Sequence, residues 1–285
     1  MPHASEEIRK VVKHAQDGGY FQPVCSVRHL HLRYYNKEAA QYIGDALHLL
    51  ALVLCLATIL REERATQGVS LKTHKLFFFV YTARFMNIFI CAQPIMLILY
   101  KVIVWHVTAL IVLVMLLRGA RDDGKDTMPV GIVVLPIILF TLFFGRFSVE
   151  DQGLFAEVVW IFSTYLEAVA MLPQYIYCYR DRDNRSKVVF MYVLAMSGYR
   201  VVFGACWAIH LATSSSSLDT SSLISGLLGI LFFADFLLFK FAERSVLSEL
   251  FISVDEGFQE AHQAARDVAR EAVLAARPRR TKPWQ

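Results

Sequence analysis

Long apolar blocks alternate with short polar segments along most of the chain. The apolar blocks lie at Tyr42–Leu60, Leu76–Ile90, Ile95–Leu117, Met128–Phe144, Leu154–Tyr177, Val188–Leu211 and Ser222–Phe239. Most of them approach the roughly 20 residues that a helix needs to cross a bilayer. The second block is short and is interrupted by Arg84, so hydropathy supports this span least. The pattern predicts an all-α membrane protein with seven transmembrane helices.

Polar sequence flanks the seven blocks at both ends. Residues 1–41 are mixed and polar, without the apolar core of a cleavable signal peptide, so the first apolar helix is expected to direct membrane insertion. Residues 241–285 are charged and rich in alanine, and a helix is predicted over Glu256–Ala276. We therefore predict a polar N-terminal extension (1–41), a seven-helix membrane domain (42–240) and a charged, helical C-terminal tail (241–285).

The distribution of lysine and arginine predicts the orientation in the membrane. Eleven of these residues fall in three alternating loops, at 61–75, 118–127 and 178–187. The loops between them, at 91–94, 145–153 and 212–221, carry one, Arg146. Loops rich in positive charge stay in the cytosol, which predicts a lumenal N-terminus and a cytosolic C-terminus. Three cations before the first helix, Arg28, Arg33 and Lys37, oppose this orientation, but the loops outnumber them.

Composition excludes several classes of protein. Apolar residues make up 56% of the chain and charged residues 19%, with a mean hydropathy of +0.43, whereas soluble domains are less apolar and more highly charged. The net charge of +4 gives no sign of nucleic-acid binding. The five cysteines are widely spaced and indicate neither a disulfide framework nor a metal site. The sequence has no HExxH, GxSxG or phosphate-binding-loop motif, so we expect neither an enzyme nor a cofactor.

Charged and polar residues recur inside the predicted spans. They are Asp45 and His48 in the first span, Arg84 and Asn87 in the second, Glu157, Trp160, Thr164 and Glu167 in the fifth, Tyr199, Arg200, Phe203, Cys206, Trp207 and His210 in the sixth, and Asp235 in the seventh. Charges within a bilayer are costly and usually face a cavity or one another. Arg84 and Arg200 lie too deep to reach the surface, which predicts a shared polar cavity. Lys101, nearer a membrane face, is expected to extend its amine to that surface.

The two halves of the membrane domain show a weak internal symmetry. Arg84 lies in the second helix of the first three and Arg200 in the second helix of the last three. Two three-helix triplets joined by a linking fourth helix would be parallel repeats, as in the PQ-loop and SWEET-like transporters. The dipeptide Pro173-Gln174 in the fifth span fits this plan.

Several collinear segments resemble the K/HDEL receptors, the ER lumen protein-retaining receptors. The segments are YIGDALHLLA (42–51), YTARFMNIF (81–89), FAEVVWIFSTYLEAVAMLPQ (155–174), SGYRVVFGACW (197–207) and ADF (234–236). Together they extend over about 42–240, and the fifth-span segment is the most specific. The two terminal extensions lie outside the resemblance.

The resemblance implies a receptor that binds the C-terminal tetrapeptide of escaped ER proteins at acidic Golgi pH and returns them to the ER. It implies that Arg84 holds the terminal carboxylate, a role that suits the planar guanidinium. Glu157 and Trp160 would face the basic residue of the signal, with Asp219 nearby. Glu167, Tyr199 and Arg200, with Asp45 beside them, would form a closure network. His48 would be the proton sensor, because histidine titrates between the pH values of the two compartments.

The chain departs from the family pattern at several ligand positions. Gln41 and His210 stand where the family has arginines, and Asn87 stands where it has an aspartate. Phe203 and Cys206 replace a tyrosine and an asparagine. A variant signal, weaker binding and a diverged function in Golgi traffic without signal binding are therefore alternatives to retrieval of a standard signal.

Partners follow from the same resemblance and from the tail. In the lumen, we expect the protein to bind C-terminal peptide signals of ER lumenal proteins. In the cytosol, we expect it to bind the COPI coat and vesicle machinery, and membrane lipids surround its helices. We expect it to reside in the ER and cis-Golgi membranes. The chain ends in RPRRTKPWQ, without a standard dilysine signal. A second class of function, a small-solute transporter of sugar type, shares the seven-helix plan, and fold analogy alone does not decide between the two.

Overall fold

The structure is a computed structural model of the 285-residue chain and describes residues 39–61, 68–85, 95–119, 126, 128–145, 154–181, 186–213 and 220–276. Within these ranges every regular element is an α-helix, which confirms the predicted all-α class. The helices are α1 (Ala39–Arg61), α2 (Leu71–Phe85), α3 (Ile95–Leu117), α4 (Val130–Phe144), α5 (Leu154–Val169), α6 (Leu172–Arg180), α7 (Lys187–Thr213), α8 (Thr220–Ala242) and α9 (Val246–Ala276). The N-terminal extension up to residue 38 lies outside the described residues.

Four of these helices are long and apolar enough to cross a membrane. The stretches are Tyr42–Leu60 in α1, Leu97–Leu117 in α3, Lys187–Cys206 in α7 and Ser221–Ala242 in α8, and α4 is a shorter apolar helix. Large apolar side chains also lie exposed on the outside of the helices; Phe143 and Leu117, for example, are each 78% exposed. Such a surface is suited to lipid and unsuited to water, which agrees with a membrane protein.

The fifth predicted span consists of two helices rather than one. A turn at Ala170–Met171 separates α5 from α6, and Pro173 is the second residue of α6. Proline has no amide hydrogen to donate to the preceding turn, so the helical hydrogen-bond ladder is interrupted there. The Tyr175 amide resumes the ladder by donating to the Met171 carbonyl at 3.0 Å.

The main helix contacts follow a repeated order. In the first half α3 packs against both α1 and α2, and in the second half α8 packs against both α5 and α7. Contacts of α1 with α7 and of α2 with α5 join the halves, while α4 packs against α5. Six helices thus follow one another around the domain in the order α1, α3, α2, α5, α8, α7.

Glycines bring α7 and α8 into close contact. A Cβ atom placed on Gly226 of α8 would lie 3.1 Å from the Cα atom of Gly204 of α7. Small residues at such crossings allow helix backbones to approach within a membrane. A similar contact joins α1 and α7, because a Cβ atom on Gly44 would lie 3.0 Å from the Phe203 ring.

Buried polar side chains fix the start of α2. The Ser70 hydroxyl accepts a hydrogen bond from the Thr73 amide at 3.2 Å, as an N-capping residue does, and donates to Asp126 at 2.9 Å. The Gln174 side chain accepts from the Ser70 amide and donates to the Gly68 carbonyl, each at 2.8 Å. These contacts explain why α2 begins at Leu71, five residues before the apolar block that predicted it.

The tail helix begins ten residues before the predicted Glu256. Asp235 of α8 accepts hydrogen bonds from the Val246 amide at 2.9 Å, the Tyr179 hydroxyl at 3.1 Å and the Ser245 hydroxyl. The Ser245 hydroxyl in turn accepts from the Ser248 amide at 2.8 Å. This N-cap adds the first turns to α9, and its end at Ala276 agrees with the prediction.

Candidate functional site

A carboxylate shared by two arginines lies at the junction of α2, α5 and α7. Glu167 of α5 is only 5% exposed. Its Oε2 atom accepts hydrogen bonds from Arg84 Nη1 of α2 and, at 2.8 Å, from Arg200 Nη1 of α7. Its Oε1 atom accepts from the Tyr199 hydroxyl at 2.7 Å. The structure therefore brings together four of the residues predicted for the site.

Neighbouring hydroxyls hold the two guanidinium groups. Arg84 Nη2 donates to the Thr164 hydroxyl at 3.4 Å, and Arg200 Nη2 donates to the Ser225 hydroxyl at 2.7 Å. The Ser225 hydroxyl donates to the Thr164 carbonyl at 2.7 Å. Arg200 is thereby connected to α8 as well as to α5, and both arginines are fixed from more than one side.

The cluster of Arg84, Arg200 and Glu167 carries one excess positive charge when all three groups are ionised. The two arginine side chains are 22% and 12% exposed, so they are poorly screened by water. Electrostatic attraction is stronger there than in bulk water. Arginine offers several donors in a fixed plane, and Arg84 Nε is buried with no hydrogen-bond acceptor among the described groups. The cluster therefore combines an excess positive charge with a donor, Arg84 Nε, that lacks an acceptor.

His48 of α1 lies beside this cluster, 4% exposed. Its ring stacks on the Tyr199 ring, with centroids 4.4 Å apart and an interplanar angle of 18°. Its Nε2 atom lies 2.6 Å from the Tyr81 hydroxyl, and its Nδ1 atom lies 2.8 Å from the Tyr100 hydroxyl. The imidazole therefore contacts Tyr199, the residue that donates to Glu167.

Glu157 and Trp160 lie on the same helix as Glu167, seven to ten residues nearer its start, and both are half-buried. At 1.5 Å per residue, Glu157 is about 15 Å along the helix from Glu167. Asp45 is half-buried on α1, one turn before His48. The remaining predicted residues are Gln41 and His210, whose side chains lie outside the described part of α1 and α7, and Asn87 and Asp219, which lie wholly outside the described residues.

Sequence reasoning missed Tyr81, Tyr100 and Ser225. Tyr81 precedes Arg84 by three residues, so the helical period places both on neighbouring faces and could have indicated it. Nothing in the sequence distinguishes Tyr100 or Ser225 from other polar residues of apolar helices.

Lys101 was predicted to reach the membrane surface, and this prediction is wrong. The residue is 2% exposed, and its Nζ atom lies 5.6 Å from the centroid of the Phe85 ring.

Among the described residues, no group of three or more histidine, cysteine or acidic side chains is placed to hold a metal ion.

Comparison with known proteins identifies the family. The profile of the ER lumen protein retaining receptors matches residues 65–210. The ER lumen protein-retaining receptor of Petunia hybrida is 31% identical over 202 residues, which cover 70% of this chain and 91% of the relative. Receptor B of Arabidopsis thaliana is 31% identical with the same coverage, and the Saccharomyces cerevisiae receptor is 26% identical over 203 residues, covering 68% and 89%. The chain therefore belongs to the family of ER lumen protein-retaining receptors.

Proposed function

We propose that this protein retrieves escaped ER lumenal proteins by binding the carboxylate and side chains of a C-terminal tetrapeptide. The observation that carries the proposal is the buried cluster in which Glu167 neutralises only one of two arginines. A peptide C-terminus supplies the missing negative charge. Arg84 is the better placed of the two to receive it, because its side chain is the more exposed, 22% against 12%, and its Nε atom has no acceptor among the described groups.

The length of the site fits a short extended peptide. An extended tetrapeptide spans roughly 13 Å at about 3.3 Å per residue. The separation along α5 between Glu167 and Glu157 is similar, at about 15 Å. With its carboxylate on Arg84, a tetrapeptide would place its first residue near Glu157 and Trp160. A basic first residue would then meet a carboxylate and an aromatic ring.

We propose that binding is coupled to a proton on His48. Neutral His48 adds no charge to the site, whereas an imidazolium beside Tyr199 raises the positive charge that faces an anionic ligand. Affinity is then high at pH values where His48 is protonated and falls as the pH rises and the proton leaves. Capture in the acidic Golgi and release in the neutral ER follow from that sign.

We further propose the seven-span plan of two triplets joined by α4, with a lumenal N-terminus and a cytosolic C-terminus. The repeated helix order supports it, since α3 between α1 and α2 corresponds to α8 between α5 and α7. The distribution of positive loop residues supports the orientation. Such a protein would reside in ER and cis-Golgi membranes and would engage the COPI coat through its cytosolic side.

A second candidate is a small-solute transporter, favoured by the same repeated helix order and by Pro173-Gln174 at the turn into α6. Two buried arginines around one carboxylate suit an anion better than a neutral sugar. A receptor-like protein that acts in Golgi traffic without binding K/HDEL signals remains the third reading.

Peptide binding tests these alternatives directly. Purified protein would be titrated with a library of C-terminal tetrapeptides at about pH 6 and about pH 7.4, with each peptide also supplied as its C-terminal amide. Tighter binding of free-acid peptides at the lower pH supports retrieval. Absence of peptide binding at both values, together with sugar uptake by proteoliposomes, supports transport, and absence of both supports the diverged protein.

A further inference from the structure

Two tyrosines from separate helices hold the imidazole of His48 at both of its nitrogens. The Tyr81 hydroxyl of α2 lies 2.6 Å from Nε2, and the Tyr100 hydroxyl of α3 lies 2.8 Å from Nδ1. Tyr199 of α7 covers one face of the ring. His48 is therefore enclosed by side chains from three helices besides its own.

A phenol can serve either charge state of an imidazole. A neutral imidazole has one donor and one acceptor, whereas an imidazolium has two donors and no acceptor. A tyrosine hydroxyl both donates and accepts, so each partner needs only to rotate its O–H bond when the proton number changes. Two such partners satisfy the imidazolium completely, and neither side chain has to move.

The remaining charged groups near His48 come from the arginine–carboxylate cluster. They are Glu167 of α5, Arg200 of α7 and Arg84 of α2, and Tyr199 connects the imidazole to Glu167. The Tyr81 and Tyr100 hydroxyls, by contrast, hydrogen-bond the imidazole itself, so its charge state depends directly on them.

We propose that Tyr81 and Tyr100 are positioning residues that set the pH at which His48 gains its proton. If the proposed retrieval function is correct, on which this consequence rests, they also set the pH at which the receptor captures and releases its ligand. They act through His48 and need not contact the ligand.

The direction of the effect follows from the two charge states. Replacing either tyrosine with phenylalanine leaves one nitrogen of His48 without a partner in a buried position. A hydrogen bond to a charged group is about twice as strong as one between neutral groups, so the imidazolium loses more than the neutral ring. Tyr81→Phe and Tyr100→Phe should each move the protonation midpoint to lower pH by roughly one unit, about tenfold in the protonation constant.

The test is a pH titration of isotope-labelled histidine by NMR in the purified full-length protein, with His48→Ala identifying the His48 signal. Peptide affinity is measured over the same pH range. Tyr175→Phe is the matched control, since the Tyr175 hydroxyl is also buried and lies 2.7 Å from Ser197, between α6 and α7. It should leave the His48 midpoint unchanged.

Each outcome separates the inference from the proposed function. A fall in the midpoint for Tyr81→Phe or Tyr100→Phe, absent in Tyr175→Phe, supports the inference even if no peptide binds, and in that case the retrieval function alone fails. An unchanged or raised midpoint in both variants overturns the inference. If one variant does not fold, the other gives the answer. In the His48→Ala protein, Tyr81→Phe should no longer alter the pH dependence of peptide affinity.

Discussion

At the scale of single residues, one carboxylate organises the candidate site. Glu167 receives Arg84, Arg200 and Tyr199 through its two oxygens, and Tyr199 stacks on His48. A change in charge at His48 is therefore three contacts away from Arg84, the proposed ligand cation. Arg84 and His48 lie at the two ends of this series of contacts, so substitutions at these two residues test it.

Replacement of Arg84 by alanine should reduce affinity for any C-terminal peptide by at least about 100-fold, equivalent to about 2.7 kcal/mol. The substitution removes the cation assigned to the ligand carboxylate and leaves that charge unpaired in a poorly hydrated site. Calorimetric titration at about pH 6 measures the loss. The amidated peptide provides the control, because its weak binding to the unaltered protein should change little. Binding of the free acid by Arg84→Ala with unaltered affinity would contradict the mechanism.

The pH dependence of binding should depend mainly on His48. Affinity should rise as pH falls from about 7.4 to about 6, and His48→Ala should flatten that dependence because no proton is then taken up with the ligand. His210→Arg is the comparison, since His210 of α7 is a second titratable candidate for the proton sensor and arginine would give its position a permanent charge. If His210→Arg flattens the profile while His48→Ala preserves its shape, the proton sensor is in α7. A flat profile for the unaltered protein would favour a diverged role.

At the scale of helices, a close backbone contact positions one of the two arginines of the candidate site. Gly204 and Gly226 bring α7 and α8 together, and Arg200, one turn before Gly204, reaches Ser225, the residue before Gly226. The arginine that completes the charged cluster is thus positioned by a helix crossing.

Alanine at Gly226 should destabilise the protein by about 1–3 kcal/mol, because its Cβ atom would meet the backbone of Gly204 and force the helices apart. Thermal unfolding in detergent measures the effect. Gly198→Ala is the matched control on α7, since nothing lies within 4 Å of its added Cβ atom and alanine favours helix. Equal melting temperatures for Gly226→Ala and the unaltered protein would show that the contact is dispensable.

Much of the helical arrangement could be predicted from sequence, and the failures have physical causes. Apolar block length located α1, α3, α7 and α8, because burial in lipid requires a continuous apolar surface. Helix starts at Leu71 and Val246 were missed, since they depend on the N-caps Ser70 and Ser245, whose hydroxyls are held by Asp126 and Asp235 from other parts of the chain.

In the candidate site, the sequence predicted the charged residues but not their uncharged hydrogen-bond partners. Arg84, Glu167 and Arg200 were predicted, because an ionised group in an apolar span needs a partner. Tyr81 and Tyr100 were not, since a tyrosine in such a span is as well explained by packing as by a hydrogen bond to His48.

At the scale of the whole molecule, the two halves repeat one packing order around a charged junction. Helices α2 and α5, from opposite halves, supply Arg84 and Glu167, and α1 and α7 supply His48 and Tyr199. These contacts therefore lie between the two halves, where relative motion of the halves would alter them most.

The proposed seven spans would place the two ends of the protein on opposite sides of the membrane. An engineered N-glycosylation acceptor in residues 1–38 should be glycosylated in ER-derived membranes, whereas the same acceptor after residue 285 should not, because the positively charged loops remain cytosolic. The shift in electrophoretic mobility on enzymatic deglycosylation reports each case. Glycosylation at the C-terminal position only would show the inverted orientation, and glycosylation at both would show an even number of spans.

The pairing of Arg84 with Glu167 also has a consequence for how long a bound peptide would stay on the protein. In the proposed function, a ligand carboxylate at Arg84 would share the guanidinium with Glu167, and tethering gives Glu167 a high effective concentration there. This competition would limit how tightly a peptide is held. It would also keep Arg84 paired after His48 loses its proton, so that the departing ligand leaves no unpaired charge behind.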